Sequence, residues 1–230
     1  MKLINKICVF DLETDGANPN DCSPVQLAAV IVDPVKLEIV KDSEFNIMIK
    51  PEKMEEDPSY EYDNDILNFH AKVRNCQQKD IIELWQNSMP QKQAWGLFTG
   101  YLEKYHSRST RKNEFSAPIA SGYNINRFDL KIINRLAIKF KSVTKEGNNN
   151  IFYPRDVLDL MNLIYYWFMY VDDVKSISLD NMREYFAISK ENAHDALKDV
   201  KDCANILIRF LKLHRNLSTK IQFKGAFSGD

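Results

Sequence analysis

Strand-like runs come first in this 230-residue chain and strands alternating with helices follow, which predicts an α/β layered fold. Three observations carry that expectation. The first 50 residues hold three apolar, strand-forming runs with turn signals between them. From residue 117 onward, short apolar runs lead into segments whose apolar residues recur at three and four. No internal repeat and no Gly/Pro-rich linker divides the chain, so a single domain is expected over 1–230, with a core from about 6 to 213 and a C-terminal tail at 214–230.

The opening run, Ile7 to Phe10, reads as a short buried strand that ends in Asp11, Glu13 and Asp15. Ala17 to Pro24 is a loop. Gln26–Val32 (QLAAVIV) and Glu44–Ile49 (EFNIMI) read as two more strands, joined by the Asp33-Pro34 turn signal into an antiparallel meander. Pro51–Tyr62 is polar and acidic and reads as an exposed loop. Lys79–Trp85 and Gln91–Tyr105 carry helical periodicity, with Trp95, Phe98, Tyr101, Leu102 and Tyr105 on one face. Ser107–Glu114 is a charged loop. Ala117–Gly122 is a strand that feeds a helix bearing Leu130, Ile133, Leu136 and Ala137, and Lys141–Asn150 is another loop. Phe152–Val157 is the last strand. Asp159–Tyr170 is apolar nearly all round and reads as a buried helix, with base stacking by its aromatics as the less favoured alternative. A short helix over Leu179–Phe186 and a long one from about Asp195 to Leu213 complete the chain, and the tail from Ser218 reads as loose.

Hydrophobic content of 44% with 27% charged residues is that of an ordinary globular protein. A net charge of −1 creates no whole-molecule attraction for polyanions, so a nucleic-acid partner has to be held by a local patch or through metal ions. The run from Lys104 to Lys145 is basic and can serve as a strand-tracking surface; Glu52 to Asp65 is acidic. The four cysteines (Cys8, Cys22, Cys76, Cys203) show no Cys-x-x-Cys spacing, which favours reduced thiols in a cytoplasmic protein over zinc or disulfides. No stretch is long and apolar enough for a membrane span, and the first apolar run breaks too early for a signal peptide.

Asp11 and Glu13 are two apart on a strand and so share a face, where their charges repel unless a cation sits between them. Carboxylate oxygens are the preferred ligands of hard divalent ions. Asp129 lies at a strand-to-helix junction after Tyr123-Asn-Ile-Asn-Arg-Phe, and Asp199 lies about one turn into the final helix, five residues after His194. Each has an ordinary structural reading: a helix-terminal carboxylate at Asp129, a polar cap at His194, an ion pair with Lys198 or Lys201 at Asp199. Together, Asp11, Glu13, Asp129 and Asp199 fit a cage for two divalent ions clamping an in-line phosphoryl displacement. An unperturbed histidine titrates near pH ~6.5, so His194 is suited to take the proton of the attacking water.

FDLETDG, GYNINRFDL and AHDALKDV resemble the three motifs of the DEDDh (DnaQ-like) 3′→5′ exonuclease superfamily, most of all the catalytic domain of bacterial exonuclease I. Pro24-Val25-Gln26-Leu27-Ala28-Ala29 and Arg155-Asp-Val-Leu-Asp-Leu-Met161 resemble further family segments, and the likeness spans about residues 6 to 213. The resemblance implies an RNase H-like fold: a mixed sheet of about five strands in the order 3-2-1-4-5, strand 2 antiparallel, flanked by helices. It assigns Asp11, Glu13, Asp129 and Asp199 to two Mg²⁺ or Mn²⁺ ions and His194 to the general base. Substrate contacts fall to Glu13, Thr14, Asp15 and Gly16, whose backbone cradles the 3′-terminal nucleotide, and to His70, while Asn124 and Arg127 serve either phosphate contact or structural support. At Leu67–Arg74 the sequence lacks the glycine of the groove-lining turn that relatives carry there. The implied activity is release of 5′-mononucleotides from the 3′ end of single-stranded DNA, in the cytoplasm, with replication or repair proteins as further partners. RNA trimming by an oligoribonuclease-like enzyme, or proofreading beside a polymerase, is the alternative.

Overall fold

The computed structural model describes residues 5–109, 114–190 and 195–220. In chain order these form β1 (Ile7–Thr14), β2 (Pro24–Asp33), β3 (Glu38–Ile39), β4 (Phe45–Met48), α1 (Glu52–Glu56), α2 (Asn64–Arg74), α3 (Gln78–Gln86), α4 (Gln91–Glu103), β5 (Ser107–Ser109), β6 (Glu114–Ser116), β7 (Ile119–Gly122), α5 (Asp129–Lys139), β8 (Val157–Asp159), α6 (Leu160–Phe168), α7 (Leu179–Tyr185) and α8 (Ala196–Lys220). The main sheet runs β3-β2-β1-β7-β8, with β4 also paired to β2. β2 is antiparallel to β1, from Ile7↔Val32 to Thr14↔Pro24, whereas β7 is parallel to β1 and β8 to β7. The expected strand order holds. The sheet has six strands because β3 and β4 pair with opposite ends of the same partner, at Val32–Asp33 and Gln26–Ala29.

Alternation along β1 divides the core. Cys8, Phe10 and Leu12 pack with Phe98 of α4 and with Ile132, Ile133 and Leu136 of α5; Ile7 and Val9 pack with Leu160 and Ile164 of α6 and with Val200 and Leu207 of α8. The sheet is therefore covered on both faces, which is why β2 is buried along its whole length. By the same alternation Asp11 and Glu13 point to the α8 side. β1 does not stop at Phe10: it continues through both acidic residues, pairing Asp11 with Ala28 and Glu13 with Gln26.

Several local expectations change. Pro51–Tyr62 is not a fully exposed loop, since α1 buries Met54, and Tyr62 packs edge-on against Trp85 of α3. Residues 64–74, where the sequence departs from the glycine turn of relatives, form α2; its N-cap Asp63 accepts from the Asp65 amide, and Leu67, His70 and Ala71 face inward. Residues 107–109 and 114–116 pair as a short hairpin. The last strand lies at Val157–Asp159, later than its apolar signal, and α8 continues to Lys220. The largest departure is α6. Only Leu160 and Ile164 are fully buried, one turn apart, because the short helix meets the sheet along one side; Tyr166 is 74% and Tyr170 87% exposed. All four thiols are free, with Cys8, Cys22 and Cys203 buried. Among the described residues no helix is long and apolar enough to cross a membrane.

Candidate active site

The end of β1 carries the first two carboxylates. Burial, followed by the nearby Asp199 carboxylate, pushes Asp11 up to about 7 against the opposing pull of Arg183. Burial, Asp11 and Asp199 push Glu13 up to about 8, with Asp195 adding to the rise and Arg74 opposing it. Two arginines thus bracket the line of acids, one beside each end.

Asp129 arrives from the far side of β1. It opens α5, is 4% exposed, and its Oδ1 accepts the Leu12 amide at 3.0 Å, between the two β1 acids. Burial and the Asp11 charge hold its carboxyl well above the usual range, although that amide works the other way. The turn before it is tightly determined. A Cβ at Gly122 would stand 2.6 Å from the Phe10 carbonyl and overlap Ile125, so only glycine lets β7 end this close to β1. Asn124 has the left-handed backbone (φ 58°) that asparagine tolerates. Its amide and that of Asn126 both donate to Asp159, at 3.0 Å each, and Asp159 also caps α6 through the Met161 amide at 3.1 Å. Arg127 is exposed on this turn.

Asp199 lies in the first turn of α8, 9% exposed. Its Oδ1 accepts Arg183 Nη2 at 2.5 Å; Arg183, 1% exposed, also donates from Nε to Asp202 and from Nη1 to Asp180, at 2.8 Å each. Lys198 pairs with Asp202, not with Asp199, at 2.6 Å. Asp195 accepts the Lys198 amide at 3.1 Å and its charge reaches Glu13. His194, expected as general base, lies outside the described residues.

The segment after Glu13 is held from outside the sheet. Thr14 Oγ1 donates to the Gly16 carbonyl at 2.7 Å, and the Thr14 carbonyl accepts from His70 Nε2 at 2.9 Å. His70 is 3% exposed, edge-on to Trp85, and burial pushes its pKa down, so the neutral ring serves as a donor to this backbone. Asp15 is 2% exposed, with Oδ1 on the Ser23 amide at 2.5 Å and Oδ2 on the Tyr62 hydroxyl at 3.2 Å. Both its oxygens are engaged within the protein, and its main-chain amide donates to the Ser23 carbonyl at 3.0 Å. Arg74 Nη2 donates to Gln26 Oε1 at 2.6 Å, and Gln26 is the cross-strand neighbour of Glu13.

The structure therefore brings Asp11 and Glu13 into electrostatic range of both Asp129 and Asp199. Among the described residues no three acidic, histidine or cysteine side chains stand ready to hold an ion as they are; one oxygen of Asp129 and one of Asp199 are drawn to protein donors. The donor chemistry nonetheless fits hard divalent cations, since Asp11, Glu13 and Asp129 are buried carboxyl groups each pushed up by a neighbouring acid, a repulsion that a cation between them would relieve. Arg183, Arg74 and Asp159 are additions to the predicted set. A signal for Arg183 was present: it lies on the apolar face of α7 with Leu179, Met182 and Phe186, where a charge calls for partners. Asp159, between an apolar run and an apolar helix, carries the signature of an N-cap.

Solved structures with this architecture include nucleases. E. coli exonuclease I in complex with a dT13 oligonucleotide matches at a TM-score of 0.66 and 16% identity, covering 94% of this chain and 43% of that one. The chain has an RNase H-like fold. Cell-death related nuclease 4 (CRN-4) matches at 0.63 and 16% identity, covering 91% of this chain and 64% of that one. A 3′-exonuclease that recognises the 3′ end of a histone mRNA stem-loop matches at 0.60 and 12% identity, covering 92% and 84%. The chain thus spans less than half the length of E. coli exonuclease I. No protein-family model matches the sequence, and no curated protein is similar to it.

Proposed function

We propose that the protein is a metal-dependent 3′→5′ exonuclease that hydrolyses single-stranded DNA from its 3′ end and releases 5′-mononucleotides. The observation that supports this most is the meeting of four carboxylates from three separated motifs. Asp11 and Glu13 come from the central strand, Asp129 sits on the Leu12 amide from one sheet face, and Asp199 is close enough from the other face to raise both strand acids. Asp11, Glu13, Asp129 and Asp199 would hold two Mg²⁺ or Mn²⁺ ions, which when bound supply charge neutralisation and activation of water for an in-line displacement.

The chain's own groups do the rest. The Thr14–Gly16 backbone, fixed by His70 and the Asp15 network, seats the terminal nucleotide, and Glu13 meets its 3′-hydroxyl. Asn124 and Arg127, on the turn that Asp159 holds, lie beside Asp129 for contacts to the strand. His194, immediately before Asp195, takes the proton from the attacking water. A bond forms between that oxygen and the terminal phosphorus, and the 3′-oxygen of the penultimate nucleotide leaves. Free thiols accord with a cytoplasmic enzyme.

Digestion of 3′-labelled single-stranded DNA and RNA side by side tests the reading. Stepwise release of 5′-mononucleotides from DNA, stopped by chelation and absent in Asp11→Ala, is the expected result. Faster release from RNA overturns the substrate choice; no release from either in the presence of Mg²⁺ and Mn²⁺ overturns the activity.

A further inference from the structure

Arg183 is almost wholly buried, and each of its three guanidinium nitrogens donates to a different aspartate: Nε to Asp202, Nη1 to Asp180 and Nη2 to Asp199. Asp202 is gripped a second time by Lys198 Nζ, at 2.7 and 2.6 Å on its two oxygens. A guanidinium fixed at three points has no freedom to turn toward a substrate phosphate. Nor is a buried ion network needed to close this part of the core, because apolar side chains of similar volume fill such a place at least as stably. What an apolar side chain cannot do is fix the direction of the Asp199 carboxylate. Asp199 stands among like charges, Asp11 and Glu13, and an anion so placed turns away from them unless a cation holds it. Arg183 supplies a cation there, and α7 and the next turn of α8 hold it in turn through Asp180 and Asp202.

We propose that Arg183 is a positioning residue: it anchors Asp199 Oδ1 and thereby presets the last carboxylate of the site for divalent ions. The inference rests on the nuclease reading, and it makes α7 part of the metal-binding apparatus. Outer partners of metal ligands characteristically govern affinity by orienting the ligand. Lysine keeps the charge but replaces a planar fork with one ammonium, so Arg183→Lys separates orientation from electrostatics.

The test is Mn²⁺ titration of the chelator-treated full chain without nucleic acid, read by the electron paramagnetic resonance of free Mn²⁺, together with thermal melts and the Mn²⁺ dependence of cleavage. Arg183→Lys should weaken Mn²⁺ binding roughly tenfold. The half-saturating Mn²⁺ for cleavage should rise by the same factor. Asp180→Asn, which loosens the anchor at its more exposed end (43% exposed side chain), should produce a smaller shift in the same direction. A cooperatively melting Arg183→Lys protein with unchanged or tighter Mn²⁺ binding overturns the proposal. Should Arg183→Lys fail to fold, unchanged binding in folded Asp180→Asn overturns it equally. A wild-type chain that binds Mn²⁺ and cleaves, beside variants that match it, sinks this inference alone; a wild-type chain that does neither sinks the nuclease reading with it.

Discussion

Asp129 and Asp199 reach the same line of acids from opposite faces of the sheet, and they are held there by different means. Asp129 begins α5, whose apolar side packs with α4 against Phe10, and its oxygen takes the main-chain amide of Leu12. Asp199 belongs to α8, which packs on Ile7 and Val9, and its oxygen takes a side chain, Arg183, from α7. A main-chain anchor moves only if β1 moves, whereas a side-chain anchor can be loosened from two helices away. One side of the site is set by the backbone and the other by a charge network.

The largest expected effect treats the two alike, and the next separates them. Asp129→Asn and Asp199→Asn should each lower cleavage by at least about a hundredfold, the order seen when a charge-stabilising group leaves an active site. Their thermal melts without metal should differ. Asparagine at 129 still offers a carbonyl oxygen to the Leu12 amide and removes a repelling charge, so the melt should stay at or above wild type. Asparagine at 199 gives up a charged hydrogen bond to buried Arg183, a loss of about 1.5–3 kcal/mol. Equal melts for the two variants would erase the distinction.

Gly122→Ala probes the backbone side from a residue that carries no charge. Its added methyl would meet the Phe10 carbonyl and Ile125, forcing apart the strand ends that place Asp129 against Leu12. Overpacking of this kind costs about 1–3 kcal/mol. Cleavage should fall along with the melting temperature, and a variant with wild-type stability and rate would show that the close approach of β7 to β1 is not what seats Asp129. Asp159→Asn should do less, because the asparagine oxygen can still accept the Asn124 and Met161 amides and only the bond from the Asn126 amide is lost: about 1 kcal/mol in the melt.

The sequence conveyed the two sides unequally as well. The runs of strand and helix follow from period-two and helical patterns that a linear chain displays openly. The strand order came instead from the likeness of three motifs to a known family, and the four acids from carboxylate chemistry together with that likeness. Asp129 was visible beside Phe128 at a strand-to-helix junction. The anchor of Asp199 was less so: the apolar face of α7 marks Arg183 for burial, but which acid 16 residues away it meets is decided by how α7 docks on α8, which no local pattern specifies. The same limit explains α6. Its aromatic run reads as core on composition, but burial depends on how many sides meet a neighbour, and α6 meets the sheet on one. His70 was recognisable as a residue of interest, yet its bond to the Thr14 carbonyl depends on α2, a helix whose mixed polarity conceals it.

The smallest expected effect concerns the acids between the two anchors. In the metal-free protein Asp11 is pushed up to about 7 and Glu13 to about 8, each first by burial, whereas in the unfolded chain such groups titrate near ~3.9 and ~4.3. Between those ranges the folded state holds more protons than the unfolded one, so stability falls as pH rises from about 4 to about 8 and levels off above. Asp33 works in the opposite direction lower down: burial alone would raise it, but Lys6 and the amides of Lys36 and Val35 hold it near about 2, so its contribution is present above ~3.9 and is lost as pH falls through about 2. Melts of chelator-treated protein from pH 5 to 8 isolate the site acids from Asp33. The wild type should lose stability across that range, Glu13→Gln should lose less, and added Mg²⁺ should restore most at the alkaline end, where the carboxylates are ionised and repel. If Glu13→Gln and wild type fall in parallel, the strain lies elsewhere in the site, and the Arg74 side of the bracket neutralises Glu13 more fully than the Arg183 side does Asp11.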